Sequence, residues 1–166
     1  MLTIFTGVRA FYRLGKTVQL LALVQSDVNS ENVEEDNSDS AKGKASRNGS
    51  TLVVAPLSLL YQWQEEIENK TSLTSRVHYG GENKNTRAIS GYNSTNIVLT
   101  TYGTLQAELR AQRNAENGKN VSMKKATFSP LLSQNWKRVI LDECHTIKNH
   151  STIVAKACCL LRAERR

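Results

Sequence analysis

Four short segments of the chain are almost continuously apolar and rich in β-branched residues, and they constrain the fold more than any other feature. These segments are residues 2–5 (LTIF), 52–55 (LVVA), 97–101 (IVLTT) and 138–141 (RVIL). Such runs are typical of strands that are buried on both faces, as in a parallel sheet covered by helices. The sequence therefore predicts an α/β fold, with a mostly parallel sheet flanked by helices.

Stretches with helical spacing separate these predicted strands. They are residues 18–24, 59–67 and 153–161, the last of which leads into the charged run 162–166. In the second stretch Leu60, Trp63 and Ile67 fall on one face at helical spacing, which predicts a buried stripe. Trp63 is accordingly interpreted as a core residue rather than as a platform for base stacking.

Two segments are too polar to join the core. Residues 26–50 consist of Ser, Asn, Asp, Glu, Gly and Lys with almost no large apolar side chain, and they are predicted to form a disordered surface insertion. Residues 113–128 are predicted to form a loop. With 39% hydrophobic residues overall, the rest of the chain can still build a modest core.

The charge balance is basic, with 22 Lys and Arg against 15 Asp and Glu and a formal net charge of +7. A basic surface favours polyanions such as nucleic acids, because binding releases counterions. A solvated basic surface without a partner explains the charge equally well. The apolar run at the N-terminus is too short to span a bilayer, so no membrane association is expected.

The tripeptide Gly15-Lys16-Thr17 precedes a predicted helix, as in a phosphate-binding loop. Gly15 allows the backbone to approach phosphates, Lys16 offers a positive charge, and Thr17 offers a hydroxyl to Mg²⁺. The helix N-terminus adds backbone N–H groups that favour the same anion. The usual spacing of the loop is not met, since Ala10 stands where its first glycine is expected.

The segment VILDECH, residues 139–145, ends a predicted strand in paired carboxylates. The carboxyl end of a strand is where α/β proteins place ligand chemistry. Asp142 is a candidate Mg²⁺ ligand, and Glu143 is a candidate base that orients and deprotonates an attacking water. His145 is a candidate coupling residue in the same site. The alternative is a strand followed by an ordinary polar turn.

Four blocks, in this order, resemble the Swi/Snf-type ATPases of helicase superfamily two. They are LGKTVQLLALVQ (14–25), TLVVAPLSLLYQWQEEI (51–67), NIVLTTYGTL (96–105) and WKRVILDECHTIKN (136–149). The segment SPLLSQNW (129–136) further resembles the branch that contains the helicase-like transcription factor and DNA-repair translocases. The resemblance implies the N-terminal RecA-like lobe of an ATP hydrolase that acts on double-stranded DNA.

The resemblance implies a role for each block. ATP and Mg²⁺ would be bound by the glycine-lysine-threonine turn, with Thr17 and Asp142 as metal ligands. Asp142, Glu143 and His145 would be the catalytic residues. DNA phosphates would be held by Pro56, Ser58, Thr100, Thr101 and Tyr102. Alternatively, Pro56 ends a strand, Ser58 caps the following helix, and the threonines only complete a β-rich run.

Nuclear localisation, chromatin or repair proteins as partners, and a role in chromatin remodelling or DNA repair are further implications of the resemblance. The chain departs from the family at both ends. Residues 9–13 (RAFYR) replace the glycine-containing start of the phosphate loop, and no Thr-Gly-Thr-Pro block or second lobe follows. Residues 1–166 are therefore expected to form an incomplete lobe that hydrolyses ATP poorly.

Two other functions remain open at this point. One is a catalytically dead nucleotide- or DNA-binding remnant, which would act as an interaction fragment or arise from a misjoined exon. The other is an unrelated P-loop kinase or small GTPase, which is disfavoured because the chain lacks a guanine-reading Asn-Lys-x-Asp string.

Overall fold

The structure, a computed structural model, describes residues 15–35, 49–79, 92, 94–116 and 129–166. Its elements in chain order are α1 (Lys16–Glu35), β1 (Thr51–Ala55), α2 (Leu57–Lys70), β2 (Ser75–His78), β3 (Ile97–Thr101), α3 (Tyr102–Glu116), α4 (Pro130–Ser133), β4 (Asn135–Leu141), a 3₁₀ helix (Cys144–Ile147), α5 (Ile153–Leu160) and β5 (Arg162–Arg165). Within these ranges no helix is both long enough and apolar enough to cross a membrane.

The five described strands form one parallel sheet in the order β2-β3-β1-β4-β5. Every residue of β1 and β3 is buried, which explains why both segments are apolar throughout. The chain moves from β1 to the β2 edge, returns through β3, and then crosses β1 to reach β4 and β5. This reversal opens a crevice at the carboxyl end of β1, the place where open α/β sheets bind ligands.

Helices cover both faces of the sheet and form two hydrophobic clusters. Along β1, Val53 and Ala55 point to the cluster that contains the buried residues of α1 and α2. Leu52 and Val54 point the opposite way, to the cluster that contains buried residues of α3, α4 and α5. The alternation follows from the two-residue period of a strand. Because helices cover both faces of the sheet, the described part of the chain has three layers.

The predicted α/β fold is confirmed. The strands predicted at residues 52–55, 97–101 and 138–141 correspond to β1, β3 and β4, and the helix predicted at residues 153–161 corresponds to α5. The stripe of Leu60, Trp63 and Ile67 is the buried face of α2. The strand predicted at residues 2–5 lies outside the described residues.

The polar insertion predicted at residues 26–50 begins later than expected. Helix α1 continues to Glu35, because Asp27 and Val28 contact the sheet and extend the helix beyond its apolar part. The last residue of the predicted insertion, Ser50, is buried beside β1. Residues 36–48 lie outside the described residues.

The loop predicted at residues 113–128 also begins later than expected. Helix α3 ends at Glu116, so residues 113–116 are helical rather than part of a loop. The helix is mostly polar in this part, and its composition alone did not show where it ends. Residues 117–128 lie outside the described residues.

The sequence did not predict the two edge strands, β2 and β5. Both are polar, and their residues are mostly exposed or half-buried. An edge strand pairs on one side only, and charged side chains protect its open side, so it lacks the apolar pattern of a central strand. The charged run at residues 162–166 is therefore largely a strand.

An ion cluster fixes α1 against the sheet at Arg138 of β4, which pairs with the first residue of β1. Asp27 accepts hydrogen bonds from the guanidinium groups of Arg138, at 2.7 Å, and Arg165, at 2.8 Å. The Arg138 side chain is only 8% exposed, so it requires this carboxylate as a partner. Burial acts to raise the pKa of Asp27, but the hydrogen bond and charge of Arg138, with the charges of Arg165 and Lys137, outweigh burial and lower this pKa.

Asp27→Asn is expected to lower the free energy of unfolding at pH 7 by about 1–3 kcal/mol, because it removes one partner of a largely buried pair. The folded-state pKa of Asp27 is depressed. Its contribution is therefore present above an unfolded pKa of about 3.9 and is lost as the pH falls through the folded value. Between pH 7 and pH 3, the free energy of unfolding measured in urea should fall less for Asp27→Asn than for the wild type. An equal fall in both proteins would contradict this explanation.

A second polar network connects β2, α3 and α4 inside the other half of the sheet. His78, which is 3% exposed, contacts Glu108 through Nε2 at 2.6 Å and the hydroxyl of Tyr92 through Nδ1. The second carboxylate oxygen of Glu108 accepts from the hydroxyl of Ser129 and, at 3.2 Å, from the backbone N–H of Leu131. Glu108 therefore satisfies donors on two other elements.

Candidate functional site

The glycine-lysine-threonine turn begins helix α1, as predicted. Gly15 has a φ of 99°, in the region that favours glycine, and its carbonyl accepts from Gln19 N–H at 2.8 Å to start the helix. Among the described residues beyond its chain neighbour, no atom lies within 4 Å of the position that a Cβ would take at Gly15, so its backbone conformation is what favours glycine. Lys16 is exposed, Thr17 is half-buried, and the first turn of α1 carries no acidic residue.

Helix α1 brings this turn to the carboxyl edge of the sheet. Its distal part is held where Asp27 binds Arg138, beside the first residue of β1. From Asp27 back to Lys16 the helix rises about 16 Å. From Arg138 to Asp142 the strand advances about 13 Å. Leu21, between the two ends of the helix, packs in the same cluster as Trp63, so α1 runs back from Asp27 toward the sheet edge at which Asp142 follows β4.

Asp142, immediately after β4, is held by four hydrogen bonds. Its backbone N–H donates to the Val54 carbonyl at 2.9 Å, and its own carbonyl accepts from the Tyr102 hydroxyl at 2.7 Å. Its carboxylate accepts from Glu143 N–H through Oδ1 and from Trp63 Nε1 through Oδ2, both at 2.9 Å. Each oxygen retains a further lone pair, so the carboxylate is oriented but can still bind a cation.

Glu143 is the only non-glycine residue with a positive φ among those the structure describes, at φ 51° and ψ 50°. Its side chain is exposed, and Oε2 lies 3.1 Å from Nδ1 of His145. The left-handed conformation directs the chain from the strand into the 3₁₀ helix. Strain of this kind persists where the surroundings enforce it, and it is concentrated at functional sites. The three predicted catalytic residues thus lie together at the strand end.

Glu143→Gly is expected to raise the free energy of unfolding by about 1 kcal/mol, because glycine adopts the left-handed conformation without the Cβ penalty. Glu143→Gln is the matched control, since it removes the charge but keeps the Cβ and the strain. Urea denaturation of the two variants measures the difference. If Glu143→Gly were no more stable than Glu143→Gln, the conformation would not be strained.

Tyr102 supports the same strand end from the neighbouring element. Burial raises the pKa of the Tyr102 phenol well above its usual range, with further contributions from nearby thiols and from the carboxylates of Asp142 and Glu143. The phenol therefore stays protonated at neutral pH and donates to the Asp142 carbonyl. This contact joins the start of α3 to the acidic pair.

The first predicted DNA-contacting block lies at the start of α2. Pro56 occupies the N-cap position, and no side chain caps the helix. Ser58 is exposed and lies inside the first turn, so the alternative that it caps the helix is wrong. Leu57 and Ser58 are exposed, and the first N–H groups of a helix have no partner within it, so those of Leu57 and Ser58 are candidate donors to a phosphate.

The second predicted DNA-contacting block is buried. The Thr100 hydroxyl donates to the His78 carbonyl, and its side chain is inaccessible. Thr101 caps α3 by accepting from Thr104 N–H at 3.1 Å, and Tyr102 is 5% exposed. The hydroxyls of these side chains are therefore used within the protein, and the residue that follows them, Gly103, is exposed. The phosphate contacts predicted for this block stay a prediction.

The residues at this edge fit Mg²⁺ and ATP. Magnesium is typically held by one or two carboxylates together with the phosphates rather than by a full protein cage. Among the described ranges no three His, Cys, Asp or Glu side chains converge to form such a cage. Asp142 supplies the oriented carboxylate, Thr17 a hydroxyl, and Lys16 a charge at an open helix N-terminus.

Trp63 is the site residue whose role was missed. Its burial was predicted correctly, and it is 3% exposed. The helical spacing indicated a core position but could not indicate which polar atom its indole N–H meets. The parallel order of β1 and β4 could have suggested the contact, because α2 directly follows β1 and β1 pairs with β4.

A glycine-lysine-threonine turn that begins a helix, at the same sheet edge as a carboxylate pair, is the arrangement of P-loop nucleotide-binding α/β proteins. Residues 13–166 match the SNF2-related domain, and the chain belongs to this family.

Relatives and a solved structure agree with this assignment. An ATP-dependent helicase of Schizosaccharomyces pombe is 36% identical over 156 residues, which are 90% of this chain and 14% of that protein. The DNA repair protein RAD5 of Mycosarcoma maydis is 40% identical over 129 residues, 76% of this chain and 9% of that protein. The Sulfolobus solfataricus SWI2/SNF2 ATPase core in complex with dsDNA has a TM-score of 0.61 and 28% identity, covering 92% of this chain and 24% of that one. The chain thus spans only a small part of each relative.

Proposed function

We propose that this chain is the ATP-binding part of the first RecA-like lobe of a DNA-dependent ATPase that acts on double-stranded DNA in the nucleus. The proposal is supported by the course of α1, which runs back from the Asp27–Arg138 contact toward the sheet edge at which Asp142 follows β4. The relatives named for DNA repair favour a repair function over a general role in chromatin. The neighbour bound to dsDNA supports the choice of duplex as partner.

Each residue has a definite chemical task in this proposal. Gly15 lets the backbone approach the phosphates, and Lys16 neutralises their charge. Thr17 and Asp142 would hold Mg²⁺, which would neutralise charge on the phosphates. Glu143 accepts the proton of the attacking water. His145 contacts the Glu143 carboxylate and orients it.

The DNA would contact the open N-terminus of α2. The exposed backbone N–H groups there, next to Pro56 and Ser58, suit sequence-independent contacts with phosphate oxygens. A net charge of +7 adds long-range attraction. Repair or chromatin proteins are expected as partners of the whole protein.

The test is the binding of Mg-ATP and of a short DNA duplex to the 166-residue protein, each followed by fluorescence. Binding rather than turnover is the readout, because the 166 residues span only a small part of each relative. We expect saturable nucleotide binding, and duplex binding that weakens steeply with salt. Duplex binding without nucleotide binding would instead indicate a DNA-binding remnant, and the absence of both would refute the proposal.

A further inference from the structure

Trp63 has a single polar atom, and that atom is directed at the candidate metal ligand. The indole Nε1 donates to Asp142 Oδ2 at 2.9 Å, between residues on α2 and at the end of β4. The tryptophan is 3% exposed, so its N–H cannot turn to water for a partner. A buried indole N–H normally finds an acceptor, but the acceptor need not be a carboxylate.

Trp136 shows how a purely structural tryptophan in this fold is satisfied. It is 1% exposed, and its Nε1 donates to the Leu131 carbonyl, also at 2.9 Å. That bond closes the short α4 connection within the core and involves no charged group. Trp63 makes a bond of the same length to an ionised group at the sheet edge where ligands bind.

The bond removes the rotational freedom of the Asp142 carboxylate. Glu143 N–H holds Oδ1, and Trp63 holds Oδ2, so both oxygens are fixed from opposite sides. Hydrogen bonds to a ligating carboxylate orient it toward the metal, and their loss typically lowers metal affinity by about 10–100-fold. A neutral donor does this without cancelling the negative charge that attracts the cation.

We propose that Trp63 is a positioning residue that orients the Asp142 carboxylate for Mg²⁺ and thereby sets the Mg²⁺ concentration needed for ATP binding. This inference rests on the proposed function, since it takes Asp142 as a metal ligand. It assigns Trp63 a task beyond filling the cluster between α1, α2 and the sheet.

The test is a Mg²⁺ titration of the binding of a fluorescent ATP analogue, mant-ATP, to the 166-residue protein. In Trp63→Phe the half-saturating Mg²⁺ concentration should rise about 10-fold, at the lower end of the range for such partners. The affinity for mant-ATP in EDTA should stay unchanged. Trp136→Phe is the matched control, because it also shortens a buried indole and removes its N–H, and it should leave the Mg²⁺ requirement unaltered.

A second variant separates the hydrogen bond from packing. Incorporation of 3-benzothienylalanine at position 63 keeps the size of the indole and replaces the N–H by sulfur. It should raise the Mg²⁺ requirement by about the amount expected for Trp63→Phe, and it serves as the test if Trp63→Phe does not fold. An unchanged requirement with this analogue would overturn the inference.

Asp142→Asn distinguishes failure of the inference from failure of the proposed function. Suppose that Asp142→Asn raises the Mg²⁺ requirement and that the double variant with Trp63→Phe requires no more Mg²⁺ than Asp142→Asn alone. The two residues then act as one unit. If Asp142→Asn raises the Mg²⁺ requirement but Trp63→Phe leaves it unaltered, as Trp136→Phe does, only the inference is wrong. If neither Mg²⁺ nor Asp142→Asn affects binding, the proposed function is wrong.

Discussion

Lys16→Ala is expected to weaken the binding of Mg-ATP by about 10–150-fold, because hydrogen bonds to charged groups contribute about 1.5–3 kcal/mol and each 1.4 kcal/mol is a factor of ten. Lys16 is exposed in the absence of ligand, so its removal leaves no buried group without a partner. The free energy of unfolding should therefore stay unchanged. Isothermal titration calorimetry measures the affinity, and urea unfolding measures the stability.

Lys156→Ala is the matched control for this prediction. Lys156 is exposed on α5, which lies on the opposite face of the sheet from α1. The substitution removes the same charge from the molecule, so a general effect of net charge would appear in both variants. Equal weak binding by the wild type and Lys16→Ala would indicate that the turn does not hold phosphate.

Glu108→Ala is expected to lower the free energy of unfolding by about 2–5 kcal/mol, because each buried donor that loses its acceptor costs about 1–3 kcal/mol. The substitution takes an acceptor from His78, Ser129 and the backbone N–H of Leu131. These donors belong to β2 and to α4 with its N-cap, so the loss should loosen the packing of β2 and α4 on α3. Urea unfolding gives the size of the effect.

Two further variants make this stability prediction specific. Glu108→Gln keeps the shape and one acceptor, and it should recover part of the loss. Glu65→Ala, at an exposed position of α2, removes the same charge and should change stability by less than about 0.5 kcal/mol. A Glu108→Ala protein as stable as Glu65→Ala would show that the network does not hold these segments together.

The central part of the fold could be predicted because the central strands are buried on both faces. This burial requires the apolar runs that revealed β1, β3 and β4. The edge strands β2 and β5 have no such requirement, and local composition did not reveal them. Helix α1 extends past its apolar part because Asp27 binds Arg138. The two residues are 111 positions apart, so no local sequence pattern indicates this contact.

Only some residues of the candidate site could be predicted from local sequence. Gly15 and the acidic pair could be recognised because their chemistry requires particular residues at short spacing. Trp63 and Tyr102, which hold Asp142, are separated from it by 79 and 40 positions and meet it only through the sheet order. For Thr100 and Thr101, position at a strand end did not reveal that their hydroxyls are used internally.

The central claim is that the turn at α1 and the acidic pair bind one metal-nucleotide complex. Paramagnetic broadening in ¹H–¹⁵N spectra of the protein with Mn²⁺ and ATP tests it most directly. The account predicts strong broadening of the amides of residues 15–18 and 142–145 together, with those of Asn96 and Lys137, at the opposite edge of the sheet, little affected. Broadening of only one of the two segments, or broadening centred on the opposite edge, would contradict the claim.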